Sequence, residues 1–503
     1  MRRFLFGLLA SLALIGAAQA QDNTVRIALR EDPDLLDPTL GSSLVGRIVY
    51  AAMCDKLFDI DGALDIIPQL ATGWRYEDPT HLVIALRPGV TFHDGERFDA
   101  EAVKYTLTRN LTMKGSMRAG EISPIADIEV IDPLSVRLVL KAPASPLLAQ
   151  LADRAGIMIS PKAAEAAGPQ NFANHPVCAG PYAFASRTPQ DRIVLRRFPA
   201  HWNAAAFHFE QVIYLPIVNS AARLANLKAG AVDLVEYVLP TDMSQVAADP
   251  KLKLVVGDGL GNQALYINTG NGPAAATVLG RNALVRQAFE LTIDRAALIQ
   301  VVYNGVFLPT AQANPPTSPF FVPSVQQPAP DAARARTLLR QAGVATPVPV
   351  VLTVPNSPEI QQAAEVIQSM AGEAGFEVKI RSLEFASSLQ AAYQGDFQVY
   401  LIGWSGRSDA DGNMWQMLHS GGTFNYGKYA SPEVDRLLDE ARVQSDPAER
   451  RDLYRQVWEQ ERKDLPQIYL WSTRNIVGMK QALAGFVQVP DGLIRLNGMH
   501  WEK

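Results

Sequence analysis

Cysteine and histidine are scarce in this chain: two of the former, Cys54 and Cys178, and seven of the latter in 503 residues. Two thiols cannot by themselves build a structural zinc site, and no histidine stands at ligand spacing beside either one, so a zinc-held fold is excluded. An excess of positive charge is also missing. The formal net charge is −5 with histidine neutral, which argues against nucleic acid or an anionic membrane surface as the main partner. The apolar run at 4–18 is too short for a membrane helix, which takes about 20 residues.

What that run does fit is export. Arg2 and Arg3 precede it and Ala18-Gln19-Ala20 follows it, the pattern of a secretory signal cleaved after Ala20. Loss of the two arginines takes the formal charge from −5 to −7 in a mature chain starting at Gln21. With no cysteine at that new end a lipid anchor is not expected, and the reading is a soluble, monomeric, periplasmic or exported protein. In an oxidising compartment the even cysteine count favours one bridge, Cys54–Cys178, closing a long loop; two separate buried thiols are the alternative.

The mature length leaves room for two or three domains of roughly 100–200 residues each. Patterning along it is α/β. Thr24–Leu29 reads as a strand, followed by turn-rich Asp32-Pro33-Asp34 and Asp37-Pro38-Thr39 and then by Gly41-Ser42 before an amphipathic segment at 44–57. Gly41 and Ser42 are candidates to offer donors to a ligand, with capping of the helix as the commoner use of such residues. Residues 82–86 form a strand, and Asp99 caps a helix with Val103 and Leu107 on one face. Further on, a strand at 348–354, a helix at 359–374 stopped by Gly375, and a strand at 376–380 make a βαβ unit.

The most informative stretch is 397–413, FQVYLIGWSGRSDADGN. An apolar strand at 397–402 stops at Gly403 and opens into a polar, charged loop, and open α/β sheets hold ligands beyond the carboxyl ends of their strands. Trp404 offers a flat apolar face, Arg407 a planar fork of donors, and Asp409 and Asp411 carboxylates, with Asn413 closing the stretch.

Several near-motifs fail on inspection. The run at 422–429, GTFNYGKY, resembles a phosphate loop, but Tyr429 stands where magnesium needs Ser or Thr. The run from Asp409 resembles a calcium loop, but Met414 replaces its glycine and Ser420 its final glutamate. Residues 403–407 fall one glycine short of a nucleophile elbow. His201 and His208 sit among aromatics, where packing explains them better than metal ligation. Neither an enzyme, a metal site nor a cofactor is expected.

The run from Gly73-Trp74 to Leu107 resembles the signature region of the extracellular solute-binding proteins of peptide and nickel ABC importers, family 5. The likeness continues through Gly180-Pro181-Tyr182, His201-Trp202-Asn203, the LKAGAVDL run at 227–234, and 285–295. The resemblance implies a two-lobed, Venus-flytrap α/β binding protein of type II-like form with a subdomain inserted in its first lobe. Lobe I would comprise 21–261 and 485–503, with the insertion at about 62–168, and lobe II 262–484. It implies capture of a peptide or peptide-like, acid-bearing solute for a membrane permease. Receptors in the same family for opines, metal chelates or oligosaccharides remain an alternative, and a secreted hydrolase a distant one.

One departure matters. Peptide binders of this type place an Asp three residues after the loop tryptophan, opposite the ligand's amino group; here that position is Arg407. A guanidinium cannot face an ammonium, since like charges in a poorly solvated cleft repel by several kcal/mol. Either Asp409 or Asp411 takes over the amino group, or Arg407 meets a ligand anion, or Arg407 bridges one of these acids and only shapes the loop. The carboxylate-binding arginine of dipeptide binders has no counterpart near 354–357.

Overall fold

The computed structural model describes residues 23–168 and 171–502. The expected signal segment at 1–20, with its cleavage site, lies outside them.

One long sheet runs through the molecule. Its order is Phe376–Leu383, Val348–Pro355, Val399–Trp404, Leu252–Ile267, Gln467–Lys480, Leu234–Val235, Thr24–Leu29, Gln211–Pro216, Arg192–Arg197 and Tyr182–Thr188, with Leu308–Pro309 added beside Gln467–Lys480. Two of these strands are long, and they pair antiparallel along nearly their whole length. Their ladder slips between Asp258 and Asn262. On one side of the slip Gln467–Lys480 pairs with Leu234–Val235; on the other, Asn262–Ile267 pairs with Val399–Trp404. The architecture is that of a two-lobed α/β protein whose lobes share these two crossing strands.

Each lobe follows from local pattern. Val348–Pro355 and Phe376–Leu383 pair in parallel, in register from Val348 opposite Phe376, joined by the helix Pro358–Glu373. Ala363, Ala364, Ile367 and Ala371 of that helix are fully buried against the sheet, and Gly375, at φ +99, makes the turn that ends the unit. A second four-stranded antiparallel sheet, Ala71–Asp78, His81–Leu86, Ser135–Leu140 and Ile125–Asp132 in that order, has its own core with the helix Ala100–Thr112. Asp99 caps this helix by accepting from the Ala102 amide at 3.1 Å.

Cys54 and Cys178 are bonded, tying the end of the helix Leu44–Met53 to the segment before Tyr182–Thr188. The C-terminal segment returns to the N-terminal core, where Leu493, Ile494, Leu496 and Met499 pack with Val25, Ile27 and Ile48.

Two local expectations need correction. The strand expected to stop at Gly403 runs on through Trp404, with Gly403 and Trp404 paired to Gln263 and Asn262. The stretch expected as loop becomes a helix at Asp411–Leu418.

Candidate functional site

A cleft opens where the two long strands pass between the lobes, with about 1290 Å³ of space in and around it, open solvent included. The N-terminal lobe contributes Arg30 and Glu31, just past the carboxyl end of Thr24–Leu29, together with Ser42 and Tyr237. From the other lobe come Glu359, Phe385, Trp404 and Tyr426. The crossing strands supply Gly261, Trp471 and Arg474. A methyl group on Gly261 would lie 2.7 Å from Thr473 Oγ1 and 2.8 Å from the Trp404 carbonyl oxygen, so only glycine allows the strands to approach this closely.

Aromatic rings form much of the wall. Tyr303 packs 5.0 Å from Trp471 and 4.8 Å from Phe307, and Trp404 5.0 Å from Phe424, centroid to centroid. Such walls suit apolar parts of a ligand and the faces of planar groups.

The charged groups differ in how far they are already engaged. Arg30 is committed: its Nε and Nη2 each donate to Glu236 at 2.7 Å, and its guanidinium lies 4.0 Å over the Tyr237 ring. Glu31 forms no hydrogen bond or ion pair among the described residues. Burial pushes its carboxyl up to about 8, with Glu236 and Glu359 adding to the effect and Arg30 and Arg223 opposing it. Glu359 is 7% exposed, and its Oε2 has no partner among the described residues. Arg474 stands 3.7 Å from Asp258, and its buried Nε is likewise unpartnered among the described residues.

The residues singled out in the sequence divide around this cleft. Trp404 and Ser42 line it. Ser42 donates its amide and hydroxyl to Asp34 Oδ2, both at 2.7 Å, which fixes the turn before the helix that Ser43 caps. Gly41 is turned inward, its carbonyl accepting from Arg118 at 3.2 Å and Arg154 at 3.1 Å. Trp404 Nε1 donates to Asn413 Oδ1 at 2.9 Å, and the Arg407 amide donates to the same oxygen at 2.7 Å. Asn413 thus holds the bend from behind the wall.

The charges of that bend are paired in a way the sequence did not predict. Arg407 bridges neither Asp409 nor Asp411. Its Nε meets Asp153 at 2.9 Å and its guanidinium lies 4.2 Å over the Trp404 ring. Asp153 is also gripped by Arg47 at 2.8 Å. Burial works against ionisation of Asp153, but the Arg47 and Arg407 guanidiniums outweigh it and hold the carboxyl well below its usual range.

Asp409 receives two hydrogen bonds from Arg450, at 2.9 and 2.8 Å. Asp411 receives two from Arg442, at 2.7 and 3.0 Å, and one from Gln150 at 3.1 Å. These arginines come from the helices Pro432–Val443 and Pro447–Asp464. Arg407, Asp409, Asp411, Asn413 and Gly41 are not among the residues lining the cleft.

Glu31 and Glu359 were missed, although the rule that singled out Trp404 reaches both. Glu31 follows the end of Thr24–Leu29, and Glu359 opens the helix after Val348–Pro355. Arg474 gives no such signal, since it lies inside a strand.

The chain is similar to known proteins along nearly its whole length. The glutathione-binding protein GsiB of Pectobacterium atrosepticum is 27% identical over 507 residues, spanning 98% of this chain and 97% of its own. GsiB of Salmonella typhimurium is 28% identical over 501 residues, 96% and 95% of the two chains. Among solved structures, the binding protein AgaA from A. tumefacien, in complex with agropinic acid, superposes with a TM-score of 0.86 at 26% identity, covering 95% of this chain and 99% of that one. The periplasmic binding protein DppA from Helicobacter pylori, with the peptide STSA, gives a TM-score of 0.87 at 24% identity over 95% and 98%, a likeness of fold. The family model for bacterial extracellular solute-binding proteins, family 5 Middle, matches residues 65–425. The chain therefore belongs to the bacterial extracellular solute-binding proteins of family 5.

Proposed function

We propose that this protein captures a small peptide or peptide-like solute, one bearing both an amino group and an acid, and delivers it unchanged to an ABC permease in the inner membrane. Lobe I is residues 21–261 with 485–503 and lobe II is residues 262–484. They close about the crossing strands on a ligand bound between them. The mature chain works as a periplasmic monomer once cleaved after Ala20. The observation that carries the reading is the cleft at the strand crossing, aromatic on its walls and supplied with acids from both lobes and with Arg474. The GsiB relatives, named for glutathione, agree with a ligand of this kind.

In this reading Trp404 stacks on the ligand and Ser42 offers it a hydroxyl. Arg407, Asp409 and Asp411 shape and close the site from behind, with Asn413 and Gly41 as its supports. Turning a closed population from 1:99 to 99:1 takes about 5.5 kcal/mol of preference for the closed form. Apolar burial against several rings and one or two charge-assisted contacts reach that order.

The test is to identify by mass spectrometry what co-purifies with the native protein, and then to follow its melting temperature with a panel of short peptides, glutathione and opines. A peptide-like ligand should raise the melting temperature and be recovered intact. Stabilisation only by opines, sugars or metal chelates would replace the peptide reading, and appearance of hydrolysis products would end the receptor reading.

A further inference from the structure

The end of the cleft around Glu31 holds more acid than it has cations to match. Around Glu31 stand Arg30, Arg223, Glu236 and Glu359, two guanidiniums against three carboxyl groups. Arg30 and Glu236 neutralise each other through two hydrogen bonds. Arg223 spends its Nη1 on the carbonyls of Ile217 and Val218, at 2.7 and 2.8 Å, and forms no hydrogen bond with either remaining acid. One negative charge is left over when all are ionised.

The other groups near Glu31 do not reverse the balance, and Glu384, which no cation pairs among the described residues, adds to it. Asp32 is held by Arg187 at 3.0 Å, and Glu384 accepts from the Ser387 amide at 3.0 Å. Tyr237 and Tyr400 are neutral phenols raised by burial. Glu359 lies in the first turn of the helix Pro358–Glu373, where the helix dipole favours its anion. The dipole does not supply the hydrogen bond that Oε2 lacks. A buried carboxylate oxygen without a donor is costly, and a donor arriving with the ligand would remove that cost.

We infer that Glu31 and Glu359, one from each lobe, form the subsite that receives an ammonium group of the ligand. The inference rests on the receptor reading above and deepens it. An ammonium brings three donors and one positive charge, enough for both carboxylates and for the charge left over. With its amine bridging acids from the two lobes, the ligand favours the closed form. In the empty cleft Glu31, raised to about 8, holds a proton near neutrality; the ammonium replaces that proton, which leaves for solvent.

The experiment is titration calorimetry of the wild-type protein with reduced glutathione, dialanine and trialanine, each as the free amine and as its N-acetyl form, alongside Glu31→Gln and Glu359→Gln. At pH 7, in buffers of different ionisation enthalpy, binding of the best free-amine ligand should release protons, and Glu31→Gln should abolish that release. Acetylation should weaken binding about 100-fold, and each substitution about tenfold or more, as for a buried charge-assisted contact. Equal binding of free and acetylated forms, or full affinity in both variants, overturns the subsite and leaves the receptor reading standing. A panel in which nothing binds overturns the peptide-like reading and the subsite with it.

Discussion

Glu31 makes the empty protein pay for an ionised carboxylate at alkaline pH. Its folded-state pKa, raised to about 8, exceeds the usual glutamate value near 4.3. Its contribution to stability is therefore full below the unfolded value and is lost as pH rises through the folded one. Glu31→Gln should melt at nearly the same temperature as wild type at pH 4 to 5 and above it at pH 9, measured without ligand by calorimetry. A variant that is equally destabilised at both ends of the range would mean that Glu31 acts through packing alone. Trp404 shows the opposite kind of residue, one whose chemistry was readable before its place was known. Its flat face lines the cleft because Asn413 pins the indole nitrogen from behind.

At the scale of elements, the bridge between Cys54 and Cys178 closes a separation of 124 residues. Restricting so long a loop in the unfolded chain is the main source of its stabilisation in the chain-entropy model. Replacing both cysteines by alanine should cost about 2–5 kcal/mol in urea unfolding, with ligand affinity retained below the transition. Loss of affinity without loss of stability would give the bridge a role in the cleft instead. Elements with ordinary signals were legible in the sequence. Thr24–Leu29 has the residues expected, and the helix of the βαβ unit differs by one residue at each end. Failures came where the usual signals are absent. The helix Asp411–Leu418 begins after Ala410 with no side-chain cap, and its polar first turn, Asp411-Gly412-Asn413, reads as loop. The strand Leu252–Ile267 carries Gly257, Gly259 and Gly261 at its middle, which break the apolar pattern where the two lobes meet. Pairings such as Arg407 with Asp153 join residues far apart in sequence and left no local trace.

For the whole molecule, Arg407, at the position where resemblance to peptide binders leads one to expect an Asp, is part of a clasp between distant segments. Arg407 and Arg47 share Asp153, and Arg47 also donates to Ser405 Oγ at 3.2 Å. A second grip lies nearby, where Arg442 reaches the Gly120 carbonyl at 3.1 Å and the Ser145 amide donates to the Arg442 carbonyl at 2.9 Å. Asp153→Asn would leave two buried guanidiniums facing each other without their shared anion, at a cost of about 3–5 kcal/mol to the form in which they meet. If that form is the closed one, the variant should show a larger radius of gyration in solution scattering and weaker ligand binding, chiefly through faster release. The control is Arg436→Ala, which removes only an exposed pair with Glu433 and Glu440 and should change stability by no more than about 1 kcal/mol. Should Asp153→Asn lose stability while keeping both its size and its release rate, the clasp would belong to the folded scaffold and closure would have to be driven by the ligand alone.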